Sequence, residues 1–173
     1  LKVGDPLEAE TQVGSLISTA HRDRVHGYVE EGAEVVLGGE AGDGAGAFYL
    51  PTVLAGVESS MRVAQAEIFG PVVTAIPFEN EKDAIRIAND VQYGLFATVW
   101  TGDPARGHRV ARAIKSGMVG INMPFTAFPG IPFGGYKQSG FGRELSIDTL
   151  DLYLETKGVL FSTSPKPFNP FGL

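Results

Sequence analysis

Apolar residues at Val25, Tyr28 and Val29 fall at the three- and four-residue spacing of one helix face, which predicts a helix from about Thr19 to Glu31 with Gly32 as its stop. The run Val35-Val36-Leu37 predicts a short strand. Tyr49 to Val57 predicts another, and Pro51, which has no N–H to give a ladder, points to an edge or a strand start. Val72 to Phe78 is β-branched and apolar and predicts a third strand. Asn80 then stands where a helix N-cap would, before a helix over Glu81 to Asp90 whose buried stripe would be Ala84, Ile85, Ile87, Ala88 and Val91. Leu95 to Trp100 predicts a strand. Asp103 caps the next helix, with Pro104 at its first position and Gly117 near its C-cap, and Met118 to Asn122 closes the series as a strand. Strand and helix alternate, which predicts an α/β domain with a largely parallel sheet and flanking helices.

Two stretches break the pattern. Residues 38–46 are almost all glycine, alanine and acidic residues and read as a surface loop. Pro124 to Gly142 is crowded with glycine, proline and phenylalanine, which suits a backbone packed closely around something rather than a regular element. A helical turn is expected over Arg143 to Leu150 and a last strand over Leu152 to Phe161, followed by an extended Pro-rich tail from Ser164 to Pro170. The expected division is a main unit over 1–150 and a terminal strand and tail over 151–173.

Composition narrows the classes of function. At 173 residues, with 43% hydrophobic and 20% charged positions, the chain can bury a core and is not disordered as a whole. It holds no cysteine, so it brings no thiolate nucleophile, disulfide, iron–sulfur cluster or thiolate-bound zinc. No run of eighteen apolar residues occurs, and Leu1-Lys2-Val3-Gly4-Asp5-Pro6 lacks the order of a signal peptide, so the expectation is a soluble, intracellular and cytoplasmic chain without a membrane partner. Its first residue is not methionine and precedes a turn, which leads us to expect that it begins inside a larger object.

Several candidate motifs fail on their own chemistry. Gly135 to Gly140 has the glycine spacing of a phosphate-binding loop, but Phe141 stands where the lysine would be. Gly42, Gly44 and Ala47 resemble the end of a dinucleotide fingerprint without the helix that should follow. His21 and His26 lie five residues apart, on different sides of a helix, which argues against a metal site, and Ser139 has no nucleophile elbow. Arg106, Arg109, Arg112 and Lys115 form a basic stripe, yet the net charge of −6 favours a solvated face over nucleic-acid contact. Glu67-Ile68-Phe69-Gly70-Pro71 is more promising. A carboxylate there can accept two hydroxyl hydrogen bonds and a ring can back a flat ligand, although a turn cap and core packing would use the same residues.

Taken together, Glu67-Ile68-Phe69-Gly70-Pro71-Val72-Val73, Tyr93-Gly94-Leu95, Gly120-Ile121-Asn122 and Pro132-Phe133-Gly134-Gly135-Tyr136-Lys137-Gln138-Ser139-Gly140-Phe141-Gly142-Arg143-Glu144 resemble the aldehyde dehydrogenase superfamily in order and spacing, from Lys2 to about Lys157. The resemblance implies the C-terminal part of the catalytic domain of an enzyme that oxidises an aldehyde to a carboxylate with NAD or NADP. It also implies that the nucleophilic cysteine, the general-base glutamate, the oxyanion-holding asparagine and most of the cofactor domain lie before this region, so that no catalytic residue is assigned here and the chain alone is inactive. By the same resemblance Glu67 holds the nicotinamide ribose hydroxyls, Phe69 stands beside the nicotinamide, and Phe133, Phe125 and Phe128 line the aldehyde pocket. The last strand resembles one used in subunit assembly, which implies a homo-oligomer that also needs the N-terminal portion of the enzyme. Ala66, Ser15 and a short segment from Tyr28 to Gly39 depart from the family's pattern. The alternative is a noncatalytic assembly or binding module related to these enzymes.

Overall fold

A computed structural model describes residues 1–166, 170 and 171; the middle of the expected Pro-rich tail, 167–169, lies outside the described residues. The first helix, α1 (Thr19–Val29), begins where the Ser18 hydroxyl accepts the amide of His21 at 3.1 Å, and it buries Val25 and Val29. The chain turns at Gly32, whose φ of 100° suits glycine, into β1 (Glu34–Leu37). β2 (Thr52–Ala55) pairs antiparallel with β1 and parallel with β3 (Val72–Thr74), so β2 is the central strand of a three-stranded sheet. Pro51 therefore marks a strand start and not an edge. The crossover from β2 to β3 carries the one-turn helix α2 (Arg62–Gln65). Val25, Val29, Tyr49, Leu54, Val57, Val63 and Ile68 pack into one core between α1, β2 and this crossover. Tyr49 is buried to 1% exposure, and its hydroxyl lies 3.0 Å from His26 Nδ1; burial first, and the charge of Glu30 second, push its pKa upward.

The second half repeats the strand–helix logic with less burial. α3 (Glu81–Asn89) starts at Asn80, whose Oδ1 accepts the amide of Asp83 at 3.1 Å. The short β4 (Tyr93–Gly94) leads to β5 (Phe96–Val99), then α4 (Pro104–Ala113) and β6 (Met118–Ile121), a parallel β–α–β unit in which Asp103 caps α4 and Pro104 occupies its first turn. Glu81 Oε1 and Oε2 each accept from Arg109 at 2.7 Å, and Arg106 adds a third contact, so two members of the basic stripe tie α4 to α3. Asn89 does the same at the other ends of the helices: it donates to Ala113 O and accepts the amide of Lys115.

The expected α/β fold with flanking helices holds, but among the described residues its strands lie in three small sheets: β2–β3 and β5–β6 are parallel, while β1–β2 and the pair of β4 with β7 (Tyr136–Lys137) are antiparallel. Three other expectations change. Helix α4 stops at Ala113 and Ile114 is already extended, so Gly117 is not its cap; a side chain at Gly117 would run into the carbonyl of Gly134. The stripe on α3 is only half-buried, and Ala88 is exposed. The expected strand over 152–161 has no ladder partner among the described residues. A 3-10 helix (Ile147–Leu152) ends there, and 154–164 is exposed chain without regular structure. Among the described residues no helix is long and apolar enough to cross a membrane.

Candidate functional site

The loop from Glu67 to Pro71 is held from both sides. On one side the amide of Thr52, at the head of β2, donates to Pro71 O at 2.8 Å, and the amide of Val72 turns back to Gly70 O at 2.8 Å. On the other side α1 meets the loop twice. Gly70 lies so close to Val25 that a Cβ would fall 2.8 and 2.9 Å from its two methyl carbons, and His21 Nε2 lies 2.8 Å from the carbonyl of Phe69. His21 and Val25 are one turn apart on the same helix face.

This clamp displays the two predicted cofactor residues. Glu67 is exposed, and its carboxylate has no hydrogen bond or ion pair among the described residues. Phe69 adopts φ 60°, in the left-handed region that a non-glycine residue rarely occupies, and its ring is 74% exposed. Neither residue plays the part of turn cap or core filler that its neighbours would suggest.

Beside Glu67 opens a cavity of about 320 Å³, bounded by Val91, Phe96, Ile114, Ser116 and Ser139 among others. Ser139 Oγ accepts the amide of Gly94 at 3.0 Å, whereas Ser116 Oγ is buried without a hydrogen-bond partner among the described residues. Phe96 reaches beyond the cavity: its ring meets Phe125 edge-on at 5.0 Å, and Phe125 meets Phe133 at 5.7 Å. Two of the three predicted substrate-facing phenylalanines are thus joined to each other and, through Phe96, to the cavity of Glu67. Phe128 is half-exposed and makes no ring contact among the described residues, and the Phe69 ring is not part of the cavity wall. A larger cavity, about 590 Å³, lies elsewhere, between Val3, Asp5, Asp43 and Phe48, and includes no predicted site residue.

The glycine-rich segment is anchored at its C-terminal end. β7 pairs with β4, Lys137 Nζ donates to Asn89 O at 3.0 Å and Val91 O at 2.9 Å, and Phe133 and Glu144 exchange backbone hydrogen bonds. Arg143 donates to Gly135 O and Gly142 O and so closes the loop on itself. His21, Phe96 and Ser116 were not singled out for the site by the sequence. The contact of His21 spans 48 residues, and no local pattern announces it.

The model of the aldehyde dehydrogenase family matches residues 1–159. Betaine aldehyde dehydrogenase of Bacillus subtilis (strain 168) is 43% identical over 179 residues, which is 99% of this chain and 36% of that protein; acetaldehyde dehydrogenase 2 of Cupriavidus necator is 44% identical over 181 residues, again 99% of this chain and 35% of that protein. A crystal structure of betaine aldehyde dehydrogenase from Staphylococcus aureus in complex with NAD+ superposes with a TM-score of 0.93 at 42% identity, covering 98% of this chain and 35% of its own. The chain therefore spans little more than a third of the length of these relatives. With the family model matching residues 1–159, relatives more than 40% identical over 99% of the chain and the fold shared with a solved relative, the chain belongs to the aldehyde dehydrogenase family.

Proposed function

We propose that this chain builds the cofactor- and substrate-facing wall of an NAD(P)+-dependent aldehyde dehydrogenase that oxidises an aldehyde to a carboxylate. The observation that carries the reading is the exposed carboxylate of Glu67, unpartnered among the described residues, on a loop clamped by α1 and β2 and next to a cavity whose wall residue Phe96 touches the Phe125–Phe133 ring pair. A carboxylate with both oxygens free accepts two hydroxyl hydrogen bonds, which is what a ribose diol offers. The exposed Phe69 ring gives a flat apolar surface two residues away. Phe133 and Phe125 exclude water and hold an apolar aldehyde by area rather than by charge. The nicotinamide cofactor, when bound, accepts the hydride.

The nucleophile comes from outside this chain, which holds no cysteine. Self-association through the exposed run after Leu152 belongs to the same proposal. The test has two arms. Titration with nicotinamide mononucleotide should move the amide signals of Glu67 and Phe69, and Glu67→Ala should abolish those shifts; shifts that cluster elsewhere or survive the substitution would overturn the assignment. The purified chain incubated with NAD+ and a panel of aldehydes should form no NADH, and turnover would refute the claim that the nucleophile is supplied from outside.

A further inference from the structure

We infer that His21, held in one tautomer by Arg24, is a positioning residue that fixes the backbone of Phe69. The ring of Phe69 is too exposed for its own packing to hold the residue, and φ 60° is a conformation that a phenylalanine leaves unless its surroundings enforce it. The enforcing contacts are all to the backbone around it, and the one made to Phe69 itself is the hydrogen bond from His21 Nε2 to its carbonyl, at 2.8 Å.

The direction of that bond follows from the other end of the imidazole. Arg24 Nη2 lies 2.9 Å from His21 Nδ1. A guanidinium only donates, so Nδ1 must carry the lone pair, and the single ring proton of the neutral imidazole sits on Nε2, the atom that faces Phe69. A proton on Nδ1 would set two N–H groups against each other. Arg24 therefore selects the tautomer that can donate to Phe69, and the rigid ring passes the choice across. The base of this arrangement is fixed as well: Ser18 Oγ accepts the amide of His21, and Val25, one turn on, packs under Gly70. That Phe69 faces a nicotinamide rests on the function proposed above; that His21 sets its conformation does not.

The two claims separate in one set of spectra on the full chain. Long-range ¹H–¹⁵N correlation should show His21 as the Nε2–H tautomer, and Phe69 should give the strong intraresidue amide-to-Hα cross-peak of a positive φ. His21→Leu should lose that cross-peak, His21→Gln, which keeps a side-chain N–H donor, should restore it, and Arg24→Ala should give a mixture of tautomers. Unchanged Val25 and Leu54 methyl shifts identify variants that remain folded. If His21→Leu unfolds, the decision falls to Arg24→Ala, where a tautomer unchanged from the wild type refutes the inference. A wild-type Nδ1–H tautomer, or a Phe69 cross-peak indifferent to His21→Leu, also overturns it. With nicotinamide mononucleotide, loss of the Phe69 shift in His21→Leu and its return in His21→Gln link the positioning to the ligand. Absence of any shift in the wild type counts against the proposed function and leaves the tautomer and cross-peak results standing.

Discussion

Gly70 has no room for a methyl group: a Cβ there would press into the two methyl carbons of Val25, which is itself fully buried and backed by the core. Gly70→Ala should therefore destabilise the fold by about 1–3 kcal/mol, the usual cost of overpacking, seen as a lower urea midpoint with an unchanged slope. Glu67 is the opposite case. It is exposed and, among the described residues, unpartnered, so Glu67→Ala should change stability by no more than about 0.5 kcal/mol in the same titration, while removing the ribose contact proposed for it. Glu67 and Phe69 could be proposed from the sequence because their order and spacing resemble a family pattern. His21 could not be, because its role depends on a contact between α1 and a loop far along the chain, and helix periodicity says only which face it occupies.

At the level of elements, what the sequence revealed was local and what it concealed was pairing. Asn80 and Asp103 cap their helices as expected because a cap needs only amides two or three residues ahead. The apolar run from Val72 to Phe78, by contrast, forms a strand only to Thr74. Its neighbour β2 ends at Ala55, and a strand is as long as the ladder it can join. Gly117 was misread as a cap because a glycine needed for close approach to Gly134 looks the same in sequence as one needed for a left-handed turn. The tie between α3 and α4 makes a prediction at this scale. The hydrogen bonds from Arg109 are the largest cause holding the Glu81 carboxyl below its ordinary pKa; desolvation opposes them, and the charges of Arg109 and Arg106 add smaller contributions that lower it further. A carboxylate so depressed contributes stability above its unfolded pKa and loses it as the pH falls through the folded value. The stability difference between wild type and Glu81→Gln should thus be constant near neutrality and vanish once the pH drops below the usual glutamate range, as followed by urea unfolding at a series of pH values. Because the groups are exposed, raising the salt concentration should shrink that difference.

Across the whole molecule burial is uneven. The contiguous core lies between Val25 and Ile68, whereas in α3 to β6 the only apolar side chain buried to the same degree is Val110. Trp100 and Phe78 stand largely exposed on that second half. Amides of β2 should therefore exchange with deuterium more slowly than those of β5 and β6, and equal protection would contradict this picture. Beyond Leu152 the chain presents Tyr153, Leu154, Val159, Leu160 and Phe161 to solvent, an apolar run larger than a soluble monomer usually tolerates. Light scattering should find dimers or larger species that truncation after Leu150 abolishes; a monomer at full length would remove the support for self-association. One more consequence follows from the sheets themselves. β3 and β5 belong to different sheets, and among the described residues no backbone ladder joins the halves and the side-chain bonds between them gather at Asp90, which accepts from Ser59 and Gln65. A seam so narrow transmits little cooperativity, and on heating the chain should melt in two stages, its calorimetric enthalpy exceeding the van't Hoff value.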